Sequence, residues 1–291
     1  MFFAGLPGII ALDIDGTITD QAHTLHADVI GYFKELHAKG WQFVFITGRP
    51  FQWGHTVLQH LPFTYTFAVQ NGALILQMPS QVVINRKYLN DELLPHAESI
   101  CQQMGTDFVI YAGWEYQDTC YFRSQFFEPD LLNYLNTRFT TLKEKWIKVA
   151  TFNSLPLNEY LSIKCFANSY EKALALSQQF EKKLGLHAPV NRDPFNPNYF
   201  IVQATHSEAN KGEALRTFMR LSPTKGPILA AGDDYNDESM LKQADIRIVM
   251  SNAPEPLKEL ADVIAPTAAV NGIIEGLQKA IDFVHKENVD V

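Results

Sequence analysis

No stretch of this chain is both long enough and apolar enough to cross a bilayer, which excludes a helical membrane protein. The opening residues MFFAGLPGII are apolar, but they lack a basic n-region and meet charge at Asp13. That is too early for a signal peptide or a span, so the segment is read as leading into a first core strand. Cysteine is scarce: Cys101, Cys120 and Cys165 are three in number, without CxxC spacing. This argues against a disulfide frame or a zinc site, and for reduced thiols in a cytoplasmic protein. Positive charge is in deficit, with 24 Lys and Arg against 32 Asp and Glu and a formal net charge of −8. Phosphate backbones and anionic lipids bind clustered Lys and Arg, so nucleic acid and membranes are poor partners. A local positive site for one phosphate stays open. Internal repeats and low-complexity linkers are also missing.

What is present is 291 residues with 46% hydrophobic content, enough for one large core or two smaller ones. GIIALDI is a short apolar run, as in a strand buried on both faces. ADVIGYFKELHAKG carries apolar residues at helical spacing and ends at Gly40, a C-terminal cap position. WQFVFIT is again a buried strand. Strand, helix and strand over about 40 residues form a βαβ unit and imply a parallel sheet. GRPFQWGHTVLQHL reads as a helix with Pro50 in its first turn, and TFAVQ as a third strand.

The last third alternates in the same way. EANKGEALRTFMRL is helical, PILAAGDD a strand, NDESMLKQA a helix and IRIVMS a strand, followed by helices in PEPLKELAD and NGIIEGLQKAIDFVHK. Residues 1–82 and 206–291 therefore read as two parts of one doubly wound α/β sheet. Residues 83–205 differ. Strand candidates such as DFVIYA and DTCYFRS follow one another without intervening helices, which implies an inserted α+β domain with an antiparallel sheet.

Open α/β sheets bind ligands at the carboxyl ends of their strands. Asp13 and Asp15 end the first strand, and Asp233, Asp234 and Asp237 follow PILAA. If those strands are neighbours, their carboxylates converge and repel one another. A hard divalent cation such as Mg²⁺ would relieve this, using oxygen ligands and substrate phosphate. One aspartate of the opening pair can bind metal and attack an electrophile. The other can act as general acid and then base. Ile14 points the other way in an extended chain, so the two acids share a side. Gly16 permits a sharp turn, and Thr17 offers a hydroxyl and an amide to an anion. In ITGRP, Thr47 and Gly48 stand between a strand end and a helix start, where free amides favour an anion. In NKG, Lys211 stands near a helix start, placed to neutralise a phosphate oxygen and the nucleophile.

The set DIDGTIT, ITGRP, NKG and GDDYND resembles the haloacid dehalogenase superfamily in order and spacing. More narrowly it is similar to the Cof-type, or type IIB, phosphatases, and QNGALI and VMSNAPEPLKELADVI match that group as well. Only 32 residues separate Asp15 from Thr47, room for one helix and one strand. Thr47 and Lys211 are 164 residues apart, far beyond one βαβ crossover of about 30. The cap therefore falls in the second position, and its α+β pattern resembles the type C2 cap.

The resemblance implies a Rossmann-like core and a set of roles. Asp13 would be the nucleophile that forms an aspartyl-phosphate, and Asp15 the acid and base. Thr47 and Lys211 would hold the phosphoryl group, with Gly16, Thr17, Gly48 and Asn236 nearby. Mg²⁺ would sit on Asp13, the Asp15 carbonyl and Asp233, with Asp237 in support. Asp234 occupies a position that the family pattern leaves variable and receives no role.

Each motif has a plain alternative. Asp15-Gly16 alone is most often a turn, Thr47 a helix cap, Lys211 a solvated helix residue, and Asp237 a complement to a helix dipole. Four motifs in order favour chemistry. Asn71 and Gly72 read equally as a turn or as substrate contacts. His23, His26 and His206 lack further ligands at metal spacing and read as surface or packing residues. The aromatic residues read as core and cap packing. Arg86, Arg123, Lys164, Arg192 and Tyr199 are candidate cap contacts to substrate, each more readily explained as surface or intra-cap structure.

The expected function is Mg²⁺-dependent hydrolysis of small phosphorylated metabolites, sugar phosphates or related monoesters, by a cytoplasmic monomer or weak homodimer. The rivals are a phosphomutase of the same group and a non-catalytic phosphometabolite-binding protein.

Overall fold

In the computed structural model the described residues are 7–20, 24–153, 155–193 and 195–289. Residues 1–6 and His23, both assigned above from sequence, lie outside them. Contacts divide the chain into two units. One comprises Met1–Thr47, Gly54–Asn85 and Asn210–Val291, and the other Gly48–Trp53 and Arg86–Ala209.

The first unit is built on an eight-stranded sheet. Its order is Val263–Ala265, Ile246–Met250, Ile228–Gly232, Ile9–Leu12, Gln42–Ile46, Tyr65–Val69, Leu74–Met78 and Val82–Arg86. Ile9–Leu12 is buried throughout because it lies between two parallel neighbours, Gln42–Ile46 and Ile228–Gly232. Side chains alternate between the faces. Ile9, Ala11, Val44 and Ile46 pack with Ala214 and Leu215 of the helix Lys211–Leu221. Phe43 and Phe45 point the other way and meet Phe33 of the helix Ala27–Ala38, with ring centroids 5.1 and 6.1 Å apart. Val29, Phe33 and Leu36 are the buried residues of that helix, at helical spacing. Burying one such ring contributes about 1.5–3 kcal/mol, so the apolar periodicity suffices to seat the helix. Helices thus cover both faces, as in a doubly wound α/β fold.

The sheet is parallel across six strands and then changes. Leu74–Met78 pairs antiparallel with Tyr65–Val69, and Val82–Arg86 completes that edge. The three-residue turn Gln70–Gly72 reverses the chain, and so short a connection allows only antiparallel pairing. Two helix starts also shift. Phe51–Leu58 begins just after Pro50, and NDESMLKQA opens as a 3₁₀ turn, Tyr235–Asp237, before the helix Glu238–Leu241.

The second unit is α+β. Its six-stranded sheet runs Val190–Arg192, Phe200–Ala204, Ser162–Ala167, Phe108–Tyr111, Cys120–Phe122 and Trp146–Lys148. Every pair is antiparallel except the last. Phe108 and Ile110 face the helices Leu94–Gln103 and Tyr170–Leu184. Val109 and Tyr111 face the helix Pro129–Leu142. Cys101, Cys120 and Cys165 are buried free thiols. No helix among the described residues is long and apolar enough to cross a membrane.

Candidate active site

The strand order reverses direction about Ile9–Leu12, whose neighbours on either side come from distant parts of the chain. Such a switch point opens a crevice at the carboxyl ends of the strands. Ile9–Leu12 ends one residue before Asp13, and the Asp13 amide still donates to the Ala231 carbonyl at 3.1 Å. The chain then turns tightly. Gly16 N–H donates to Thr19 O at 2.9 Å, and Thr19 N–H to Ile14 O at 3.0 Å. Ile14 is fully buried, Asp13 buried and Asp15 half-buried. Gly16 has a φ of +77°, and a Cβ there would fall on the Asp233 carboxyl group. Glycine is therefore required both by the left-handed backbone and by the close approach.

The strand Ile228–Gly232 delivers the second acidic loop. Asp233 accepts from Thr17 Oγ1 at 3.2 Å and from Asn252 Nδ2 at 3.3 Å. Asp237 is buried and accepts from the backbone amides of Asp233 and Asp234, at 2.9 and 3.0 Å, through its Oδ2. Asp234 caps the 3₁₀ turn, its Oδ1 accepting from the Tyr235 amide at 2.8 Å. Asp234 carried no role on sequence grounds, and the geometry makes it half of a capping box with Asp237.

Lys211 is the first residue of the helix Lys211–Leu221, whose cap Asn210 accepts from the Glu213 amide at 2.9 Å. Its side chain is 1% exposed, and its ammonium donates to both Asp13 Oδ1 and Asp237 Oδ1. Thr47 is buried, with its amide donating to Ala68 O at 2.9 Å and its carbonyl accepting from the Asn71 amide at 2.8 Å. Asn236 Nδ2 donates to Asn71 Oδ1 at 3.5 Å. The structure thus gathers Asp13, Thr17, Lys211, Asp233 and Asp237, with Asp15 and Gly16 in the same loop. Thr47 and Asn236 are joined through Asn71. Asn71 and Asn252 take parts that sequence reasoning left undecided or missed. QNG flagged a turn at Asn71, while Asn252 lies in VMSNAPEPLKELADVI, a stretch matched to the group with no role given to the asparagine.

The cluster is short of positive charge. Burial raises the Asp13 pKa, Lys211 opposes this, and Asp237 and Asp15 add to it, leaving the carboxyl pushed up to about 8. Asp233 is driven well above the ordinary carboxylate range by burial and then by Asp13, Asp237 and Asp234. Burial works against the Lys211 charge, but Asp13 and Asp237 outweigh it and hold the ammonium above its usual value. Among the described residues Lys211 is the cation paired with these carboxylates, too little positive charge to neutralise them. Asp13, Asp233 and Asp237 each offer an oxygen, all within 4.8 Å of one another. An all-oxygen donor set with excess negative charge fits a hard divalent cation of the Mg²⁺ type.

The second unit settles several of the other candidates. Arg123 is buried and holds Asp107 through two hydrogen bonds of 2.9 and 2.7 Å, with a third to Glu98 at 2.6 Å. It is bound up within the unit. Tyr199 stacks on Tyr134 at 4.5 Å. Arg192 is exposed and lies over Phe200, and Arg86 lies 3.7 Å from Glu115. Gly48 belongs to this unit by contacts, its carbonyl accepting from Lys164 at 3.4 Å. Lys164 is buried, with its ammonium 4.4 Å from the Tyr111 ring centroid.

The sequence profile of the haloacid dehalogenase-like hydrolase family matches residues 10–277. The chain belongs to that family and is an enzyme of its hydrolase class. Among characterised relatives, the 5-amino-6-(5-phospho-D-ribitylamino)uracil phosphatase YcsE of Bacillus subtilis is 24% identical over 273 residues, covering 93% of this chain and 94% of that protein. Phosphoglycolate phosphatase 2 of Saccharolobus solfataricus is 33% identical over 82 residues, 28% of this chain and only 35% of that relative's length. A solved subclass IIB sugar phosphatase of the same superfamily shares the fold, with a TM-score of 0.73 at 19% identity over 94% of this chain and 98% of that one.

Proposed function

We propose that this enzyme is a Mg²⁺-dependent phosphatase of small phosphorylated metabolites, sugar phosphates or related monoesters, acting through an aspartyl-phosphate. One observation carries the reading. A buried ammonium, Lys211, fixes one oxygen of Asp13 within a cluster of carboxylates that lacks enough positive charge.

Asp13 attacks phosphorus with a carboxylate oxygen. The ester P–O bond breaks, its electron pair leaves on the alkoxide, and Asp15 supplies the proton. Asp15 then takes a proton from water, which attacks the aspartyl-phosphate and breaks its P–O bond. Inorganic phosphate leaves and Asp13 is restored. Lys211 and Thr47 offset the negative charge of the transferring group, the main catalytic need in phosphoryl transfer. Asp13, the Asp15 carbonyl and Asp233 would hold the metal. Asp237, engaged by Lys211 and two backbone amides, would support it by keeping the loop in shape. When bound, Mg²⁺ supplies Lewis-acid charge next to the phosphoryl oxygens. The inserted α+β domain expected over residues 83–205, whose body is the second unit's Arg86–Ala209, would act as the cap and read the rest of the substrate. A cytoplasmic site of action fits the three free thiols.

The test is phosphate release from a panel of sugar phosphates, nucleotides and other phosphomonoesters, with Mg²⁺ and with EDTA. Asp13→Asn runs alongside, because it keeps the shape and removes the charge. Release that needs both Mg²⁺ and Asp13 supports the reading. Wild-type protein that binds Mg²⁺ and releases nothing overturns it, and a bisphosphate-activated isomerase assay then separates a mutase from a binding protein.

A further inference from the structure

The turn after Tyr65–Val69 is built against local preference. Gln70, Asn71 and Gly72 have successive φ values of 50°, 57° and 97°. Two non-glycine residues in a row in the left-handed region are rare, and such strain persists only where the surroundings over-determine it. Asparagine tolerates the region better than most residues, which suits it to the centre of this turn.

The surroundings are three separate motif segments. The Asn71 amide donates to the Thr47 carbonyl at 2.8 Å. Its side-chain Oδ1 accepts from Asn236 Nδ2 at 3.5 Å. A Cβ on Gly72 would come within 2.7 Å of Ala214 Cβ and 3.3 Å of the Asn210 carbonyl, so the turn lies flush on the first turn of the Lys211 helix. Asn71 is fully buried, and its Nδ2 has no hydrogen-bond partner among the described residues. A buried amide donor left unsatisfied weakens the fold.

We propose that Asn71 is a positioning residue for phosphoryl transfer, holding Thr47 and Asn236 in mutual register at the mouth of the acidic cluster. This rests on the phosphatase reading. The geometry separates its two duties, since the backbone conformation serves the fold and the side-chain amide serves the site. Glycine at position 71 accepts the same φ without strain and removes only the amide.

The experiment compares wild type, Asn71→Gly, Asn236→Ala and the double variant, using a chromogenic phosphomonoester with Mg²⁺. It reads kcat, KM and thermal unfolding. Asn71→Gly is expected to keep or raise Tm while kcat falls at least 10-fold and KM changes less than 3-fold. The double variant is expected to lose no more than the worse single variant, because the two residues act as one unit. Wild-type kcat in Asn71→Gly, or losses that multiply in the double variant, would overturn the proposal. So would a loss of kcat matched by a loss of Tm. If wild type proves inactive on every ester, the phosphatase reading fails by itself. Inorganic phosphate binding by calorimetry with Mg²⁺ then tests Asn71, with at least 10-fold weaker binding expected in Asn71→Gly and equal binding refuting it.

Discussion

Lys211→Met is the sharpest perturbation of the acidic cluster. Methionine keeps the length and removes the charge. The ammonium is 1% exposed and donates to Asp13 and Asp237 together, so solvent cannot take its place. Removing one partner of a buried ion pair costs about 3–5 kcal/mol, because the remaining charge is stranded. Here the low end applies. Burial raises the Asp13 carboxyl and Lys211 opposes the rise, so losing the ammonium drives Asp13 further towards its neutral form and relieves part of the stranded charge. A loss of about 3 kcal/mol in a domain of this size lowers Tm by about 6–12 °C. Differential scanning calorimetry in EDTA reads the loss, and the same scan in Mg²⁺ reads how much a bound cation restores. Turnover should fall by at least about 10²–10³-fold, as when a transition-state charge donor is removed. Lys211→Arg should regain most of the stability and little of the turnover, since its planar fork cannot copy a point charge between two oxygens. A Lys211→Met protein that melts within about 2 °C of wild type in EDTA would refute the idea that this ammonium neutralises the cluster.

Gly16→Ala should weaken the Mg²⁺-dependent rise in Tm, because its Cβ would displace the Asp233 carboxyl from the cluster; an unchanged Mg²⁺ titration would count against that. The same change should cost about 1–2 kcal/mol in EDTA from left-handed strain alone. Lys164 tests the second unit. Burial, with Arg138 adding to it, lowers its ammonium from 10.5 to about 8. Below pH 8 the lysine is charged in both folded and unfolded chains, so the full cost of burying the charge is present. As pH rises from about 8 to 10.5 the folded chain gives up the proton first, and stability from this group increases. Lys164→Met should therefore be more stable than wild type at pH 7, by about 3 kcal/mol at most, with the gap closing by pH 10.5. Urea unfolding of both proteins at the two pH values measures it, and a gap that stays constant would rule the account out.

How much of this could be read from the chain depends on whether the cause is local. The buried strands and amphipathic helices of the first unit are local, since apolar residues recur at the period of the element they form. Phe33 and Val29 announce a helix, and IIAL announces a strand buried on both faces. The acids at the strand ends were legible for the same reason, because a charge closing an apolar run has few structural uses. The edge hairpin was not legible. LILQM and VVINR carry strand-forming residues, but their antiparallel placement depends on a three-residue turn that opens with Gln70 at a left-handed φ glutamine seldom adopts. Arg123 was ambiguous for a related reason. Alternation could aim it to either side of its strand candidate and gave no sign that Asp107, 16 residues earlier, would meet it. The asparagines show where pattern reading stops. Asn71 and Asn236 are 165 positions apart, and each alone looks like an ordinary turn residue. Their pairing exists only because the sheet order places the end of Tyr65–Val69 and the loop after Ile228–Gly232 at the same carboxyl edge. A residue whose job is to join two loops leaves no trace in either loop's sequence. Hence the acids and the lysine stand out in the sequence, while the link from Asn71 to Thr47 and Asn236 is seen only in the fold.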